Sequence, residues 1–599
     1  MYAGTKVNWH ELLMAESTAA ANDDSLPLFL CAFSADKGSE EITDLTLKDF
    51  KNMYGSTANF FKYGQPLIQA HKILAAGGRV LGKRIVAEDA TLGNLIIYAE
   101  VTPDTEDSTA IIAYKSKTVE NAKSVSDVEV VANAMLSEST EGGTYPLFII
   151  CDNGRGTSVK RVRISPDYDV SKTLSYMLYK ITDIEEAQTK EYARFSVYPD
   201  AINTVNGVRK SMVLTKTTME QFNCESHTNG ITAFVAKIAK ITGYTVEELY
   251  NFDILFGKTV KQADIARISP IFDDCDFNAE VGLELPSGSN GSFGEYPFPG
   301  YEATDAWTNE AVKFFDGTFS PEIFDLDQHK IDFCVDANYP DKVKEAIANL
   351  AVFREDFFYF RDLGLNINSI NDVQNKIKES FWVASPFIGD YLSTYEVIDD
   401  YSHKQIKVTM CYGLAPLLVN HYMNNAAAPI AGEFNNFIIS DGIYETLNII
   451  PRITPTVNQK EILDDLRVNY LNFTSDGLFS VQSTYTSQDH DGPLSYSSNV
   501  VITQMVVKAI RKYCPKIRFM LMDPGTTDFA KYKSLIEDNV ITRYSQYFKS
   551  ISLIYTADDD MVASKIFNAS LYCYYRDFPQ GEIFDVFAVE GSPETNPIE

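Results

Sequence analysis

From residue 330 to residue 425 short apolar runs and longer amphipathic stretches take turns: KIDFCVDA, PDKVKEAIANLAVF, DFFYFRDL, INDVQNKIKES, FWVASPFI, KQIKVTM and LAPLLVNHYMNN. The short runs are β-branched and aromatic and read as strands. The longer ones carry apolar residues at helical spacing, and Pro340 opens the first of them. A chain that returns through a helix between strands lays those strands down side by side in the same direction. A largely parallel sheet with helical crossovers is the expected frame.

The opening of the chain has the same texture. LPLFLCAFS is nearly continuous in apolar residues, as a strand buried on both faces requires. TLKDFKNMYG and QPLIQAHKILAAGG read as helices, the second stopped by Gly77 and Gly78, and VLGKRIVA and NLIIYAEV read as strands. From about 111 to 285 short β runs such as YPLFIICDN, VKRVRIS and YARFSVYP are separated by turn residues, with a helical interlude near ITAFVAKIAKITG. LPSGSNGSFGEYPFPG follows as a linker. The expected class is therefore α/β and α+β multidomain, an α/β core formed by N- and C-terminal segments around a β-rich insertion. Its divisions are an arm at 1–24, core at 25–110, insertion at 111–285, linker at 286–300, core again at 301–455, a C-terminal domain at 456–588 and a tail at 589–599.

At 599 residues the chain is too long for one hydrophobic core, and its 45% hydrophobic content supplies material for several. Lys+Arg number 52 against 82 Asp+Glu, a formal charge of -30 with no long basic tract, which argues against direct contact with nucleic acid or anionic lipid. The start has no basic region followed by an apolar run, and no window is apolar enough to span a membrane. Eight cysteines stand singly with no CxxC pair, the pattern of reduced thiols.

Several motifs come close to ligand sites and miss. Gly77, Gly82 and Lys83 match GxxxxGK, but Arg84 stands where a phosphate loop needs Ser or Thr, and a helix precedes the glycines where a strand should. Asp274, Asp276 and Asn278 alternate like a calcium loop, with Ala279 in place of the required glycine. Cys224 and His227 form a lone CxxH. DNGRGTS at 152–158 reads as a strand-joining turn. No catalytic residue, cofactor or metal is assigned. In SNVVITQMVVKAIRKY, residues Ile502, Met505, Val506, Ala509, Ile510 and Tyr513 share one helical side, while Lys508, Arg511 and Lys512 gather toward its end. Those cations either complement the helix dipole in solvent or dock an acidic partner.

The run YGQPLIQAHKILAAGGRVLGKRIVAEDATLGNLII resembles the N-terminal part of contractile bacteriophage tail sheath proteins, with Ala75, Gly77, Gly78, Arg84, Val86, Asp89 and Ala90 supplying the pattern. SGSNGSFG looks like the glycine-rich entry to that family's C-terminal half. IDFCVDANYPDKVKEAIANLAVFREDFFYFRDL is similar to its strand-helix-strand core, with an acidic strand end at Asp362. LRVNYLNFTSDGLFSVQSTYT matches the stretch in which an Asn precedes a glycine-bearing hairpin ended by threonine; the counterparts are Asn469 or Asn472, Gly477 and Thr484. SVQS replaces the family's tryptophan-glycine step, and the middle 180 residues carry no family pattern.

The resemblance implies a non-enzymatic virion protein of the phage tail, assembled in the host cytoplasm. It implies self-association into hexameric rings stacked helically around a tail tube, contacts to baseplate and tail terminator proteins, and contraction that drives the tube through the host envelope. The insertion would face outward and the C-terminal domain the tube, with Lys508, Arg511 and Lys512 as candidate tube-facing residues. The terminal arms would link neighbouring subunits. Another β-rich virion component, a baseplate or fibre subunit, is the alternative, and an α/β enzyme a third.

Overall fold

The computed structural model describes residues 26–576 apart from internal segments, the longer ones 167–178, 252–282, 440–449, 518–526 and 557–567 and the rest one to five residues each. Six parallel strands form its centre: β1 (Leu28–Phe33), β2 (Arg79–Arg84), β3 (Phe333–Val335), β4 (Phe358–Asp362), β5 (Ile388–Leu392) and β6 (Val468–Phe473). Their spatial order is β2-β1-β3-β4-β5-β6. Antiparallel strands flank them, Thr43–Leu45 beside β2 and Phe479–Val481 beside β6. Helices α1 (Phe60–Ala75), α2 (Asp341–Arg354) and α3 (Met410–Asn425) run between strands.

The apolar run of β1 is explained by its two faces. Phe29, Cys31 and Phe33 join one core with Leu67 of α1 and Leu418 of α3. Leu28, Leu30 and Ala32 join another with Ile347 of α2 and Trp307. Side chains alternate along a strand, so a strand covered on both sides has no polar positions to spare.

The sheet differs from the sequence reading in three places. FWVASPFI contributes only its last residue to β5, because Pro386 cannot donate to a ladder and the backbone N–H of Phe387 bonds the Ser385 hydroxyl. KQIKVTM pairs with Thr394–Ile398 in a separate small sheet. The division at 455/456 crosses the main sheet, since β6 belongs to it.

NLIIYAEV lies in Asn94–Asp104, which pairs with Thr109–Lys117 and Gly143–Asp152 in a six-stranded sheet of its own. The change of sheet thus falls at Asn94, and a boundary at 110/111 cuts a hairpin; alternation alone does not say which sheet a strand joins. The segment 286–300 is packed rather than a loose linker. Ser289 exchanges backbone hydrogen bonds with Thr91, the Ser292 N–H bonds Asp89, and Phe293 and Phe298 are buried, Phe298 with its ring 4.7 Å from Trp307. Buried Arg84 ties the loop after β1 to the turn at 153–157, donating to the carbonyls of Ala35, Gly38 and Arg155. Gly156 has φ 143, and a Cβ there would lie 2.3 Å from the Asp36 carbonyl oxygen.

Where β3 and β4 end, Lys344 of α2 meets two buried carboxylates. Its Nζ lies 2.5 Å from Asp362 Oδ1 and 3.5 Å from Asp336 Oδ2, while the Tyr359 hydroxyl donates to Asp336 at 2.6 Å. Burial, then the neighbouring Asp362 charge, pushes the Asp336 carboxyl well up. Burial also raises Asp362, but Lys344 and hydrogen bonds more than offset it and leave it low. The raised Asp336 and the lowered Asp362 share one cation, Lys344. Lys344→Met leaves the buried Asp362 carboxylate without its cation, so stability falls by about 3–5 kcal/mol, whereas Asp336→Asn keeps the shape of the side chain and an oxygen that can accept from Tyr359, and costs less than about 2 kcal/mol; urea midpoints at unchanged slope check both.

His421 of α3 is buried edge-on to Phe437, ring centroids 5.1 Å apart, and burial pulls its pKa down to about 4. The unfolded imidazole binds a proton near pH 6.5. Between those values the unfolded state holds more protons, so stability falls as pH falls through the window, by about 3 kcal/mol at its lower end. His421→Phe flattens that portion of the stability profile, which chemical denaturation at pH 7, 5.5 and 4 measures.

Candidate assembly surface

Helix α4 (Ser497–Ile517) follows the strand pair of β6. Thr484 starts it: its carbonyl accepts the Ser497 N–H at 2.8 Å and the two hydroxyls lie 2.6 Å apart. Of the two asparagines considered from sequence, Asn469 is the buried one, bonding the carbonyls of Asp390 and Tyr485 and the Tyr485 N–H. Asn472 takes a bond from Lys460. Gly477 lies outside the described residues.

The apolar side of α4 packs as its spacing requires. Ile502 and Val506 are buried with Val540 and Phe548, and Met505, Ala509, Ile510 and Tyr513 border them. The three cations do not form one solvent-facing patch. Lys508 turns inward, its Nζ 2.5 Å from the Ile331 carbonyl oxygen and 2.6 Å from Asp332 Oδ1. Arg511 is half-buried, with Nη1 enclosed and without a hydrogen-bond partner among the described residues. Lys512 is exposed. Lys508 and Lys512 share an open groove of about 640 Å³ between α4, the start of the main sheet and the helical segment around Asn539 and Tyr544.

After α4 the chain forms an antiparallel pair, β7 (Ser550–Thr556) and β8 (Asn568–Tyr574), with Leu553 opposite Leu571. One face carries Ile551, Leu571 and Cys573 onto the α4 cluster. The other exposes Ile554, Tyr572 and Tyr574. Among the described residues no third strand pairs with either edge. Two strands alone are marginal in water, and open edges accept further strands.

The remaining sequence candidates have structural places. Gly77 and Gly78 close the end of α1 by donating to the carbonyls of Leu74 and Ile73, and Gly77 has φ 92. Lys83 and Arg84 sit in β2, Lys83 donating to the Glu40 carbonyl. Asp89 holds the neck described above. Cys224 is buried in Phe222–Ser226, where burial pushes its thiol up. His227 caps Thr228–Thr242 through Gly230 and meets Asn133. Among the described residues no three His, Cys, Asp or Glu side chains converge as metal ligands. Asp274, Asp276 and Asn278 lie outside them. No described helix is long and apolar enough to cross a membrane.

No protein-family model and no curated protein matches the sequence. Its structural neighbours are contractile sheath proteins. The sheath tail protein Lin1278 of Listeria innocua aligns over 92% of this chain and 95% of its own, with TM-score 0.43 and 8% identity. A sheath tail protein of Desulfitobacterium hafniense aligns over 92% and 97%, with TM-score 0.42 and 8% identity. The sheath of an extracellular contractile injection system in its contracted state aligns over 48% and 80%, with TM-score 0.37 and 13% identity. These values describe a distant likeness.

The placement of the cations separates their effects on stability. Lys508→Met removes the cation from half-buried Lys508 and leaves Asp332 buried, costing about 2–4 kcal/mol. Lys512→Met, at an exposed position, changes stability by less than about 0.5 kcal/mol. Thermal unfolding of the two variants checks the contrast.

Proposed function

We propose that this chain is the subunit of a contractile tail sheath. The observation that carries the reading is the β7–β8 pair: packed by one face on α4, apolar and aromatic on the other, and open at both edges among the described residues. Such a pair gains its missing hydrogen bonds when extended segments of neighbouring subunits add to it. The segments 1–24 and 577–599 are the linking arms. The sequence resemblance supports the same reading, since it runs through both halves that build the main sheet.

In this reading subunits form hexameric rings stacked around a tail tube and bounded by baseplate and terminator proteins. Arms keep the subunits connected while each moves as a rigid body. Work comes from a metastable extended assembly relaxing to one that buries more surface between subunits, and no nucleotide is consumed. Arg511 and Lys512 are the remaining tube-facing candidates, because Lys508 is engaged with Asp332. The insertion faces outward, and contraction serves delivery of the phage genome.

Electron micrographs of the purified chain are expected to contain hollow tubes or stacked rings, and removing residues 1–24 is expected to leave isolated rings or monomers. Discrete closed particles at high concentration point instead to a baseplate or fibre subunit. Tubes that persist unchanged without residues 1–24 exclude that arm as the link.

A further inference from the structure

The groove beside α4 has a charge at odds with the chain that carries it. Among the described residues five cations line it, Arg79, Lys330, Lys508, Lys512 and Arg543, against three carboxylates, Asp44, Asp327 and Asp332. That local excess of two sits on a protein of charge -30. Burial, then the Arg354 charge, holds the His329 pKa low, so this lining residue adds no charge at neutral pH. Between the charges Leu28, Leu81, Met505, Ala509 and Tyr513 supply apolar wall. A segment that fits must be acidic and carry apolar side chains between its charges.

The residues from 577 to the end of the chain have that composition. They include Asp577, Glu582, Asp585, Glu590, Glu594 and Glu599, with no Lys, Arg or His. Ile583, Phe584, Val586, Phe587 and Val589 stand between the acids. The segment also starts in the right place. Tyr575, one residue before the last described, bonds Thr503 of α4 through its hydroxyl at 2.8 Å and packs its ring 5.7 Å from Phe548. From Thr503 to Lys512 is about 14 Å along the helix, and an extended segment of this length reaches about 75 Å.

We propose that the acidic C-terminal segment of each unassembled subunit docks into the cationic groove beside its own α4. The tether favours the chain's own segment over that of a second copy, because a short linker holds it at an effective concentration near millimolar. The docked segment is withheld from neighbours. This last consequence rests on the sheath reading, in which the same segment serves as an arm; the docking itself does not.

Zero-length carbodiimide cross-linking of the full chain at low salt, in an equal mixture of ¹⁴N and ¹⁵N protein, tests the docking. The expected products join Lys330 or Lys512 to Asp585 or Glu590 within one isotope label. Amide exchange across 577–599 is expected to speed up about tenfold when salt is raised toward 1 M, where screening is within about 3 Å. The same acceleration is expected in Lys512→Glu/Arg543→Glu, at two exposed positions. Adding Glu582→Lys, Asp585→Lys and Glu590→Lys to that variant should restore protection. Should the variant fail to fold, the salt series on the native chain decides alone. Mixed-label products assign the groove to a second copy and overturn the proposal. So do products formed only with carboxylates of residues 1–24, or a native segment that already exchanges at the rate of an unfolded peptide. Label-matched products from a protein that forms only closed particles leave the docking standing and remove the sheath reading; their absence from dilute, unassembled subunits of a protein that forms tubes on concentration does the reverse.

Discussion

A parallel strand cannot be completed by a hairpin, so β1 depends on a partner about 300 residues further along the chain. Asp332 secures that join. Its carboxylate accepts the Leu28 N–H at 2.9 Å and its own N–H donates to the Leu28 carbonyl oxygen at 2.9 Å. The other carboxylate oxygen takes Lys508 of α4 and the Tyr422 hydroxyl of α3. One side chain therefore fixes the first strand of the core, a helix of its C-terminal half and the helix that carries the candidate assembly surface. Those donors satisfy both oxygens of a buried side chain, and its position sets where α4 lies against the sheet.

The same logic recurs along the strands. Arg361 of β4 pairs with Asp390 of β5 at 2.7 Å beneath the Trp382 ring, and Arg354 holds Asp356 while binding the His329 carbonyl. Each cation is buried with its anion and also donates to at least one carbonyl oxygen, Val383 for Arg361 and His329 and Ile323 for Arg354. Such pairs add little net stability over apolar residues of equal size, yet each is costly to break. They make the core intolerant of rearrangement.

The alternation that defines the core was legible because burial on both faces leaves its mark on every position of β1 and on the helices that cover it. The hydrophobic side of α4 was legible for the same reason: the spacing of Ile502, Met505, Val506 and Ala509 is a local property. The fate of Lys508 was not, because its partner Asp332 lies 176 residues away and the same Lys-Arg-Lys cluster is written whether its first member points inward or out. Nor could alternation tell that NLIIYAEV leaves the main sheet while VLGKRIVA enters it. The Gly-Ser-Pro composition of 286–300 read as slack chain. In the fold Gly288 allows close approach: a Cβ there would meet the Thr91 carbonyl oxygen at 2.1 Å, so the two segments of the neck could not lie side by side.

That neck bears on how force would pass through the protein. Two chain segments cross it in opposite directions, locked by the Thr91–Ser289 bridge, by Asp89 on Ser292 and by Arg84 and Arg155 reaching between the core and the turn at 152–158. Arg155 alone binds Glu40 through two nitrogens and the carbonyls of Ala87 and Glu88. A single flexible linker would let the insertion swing while the core moved. A doubled neck, closed by buried Arg84 and half-buried Arg155, opposes such swinging. Among the described residues the β7–β8 pair has no such doubled neck: one apolar face and the Tyr575–Thr503 hydroxyl bond hold it on α4, and its outer face and edges stay open.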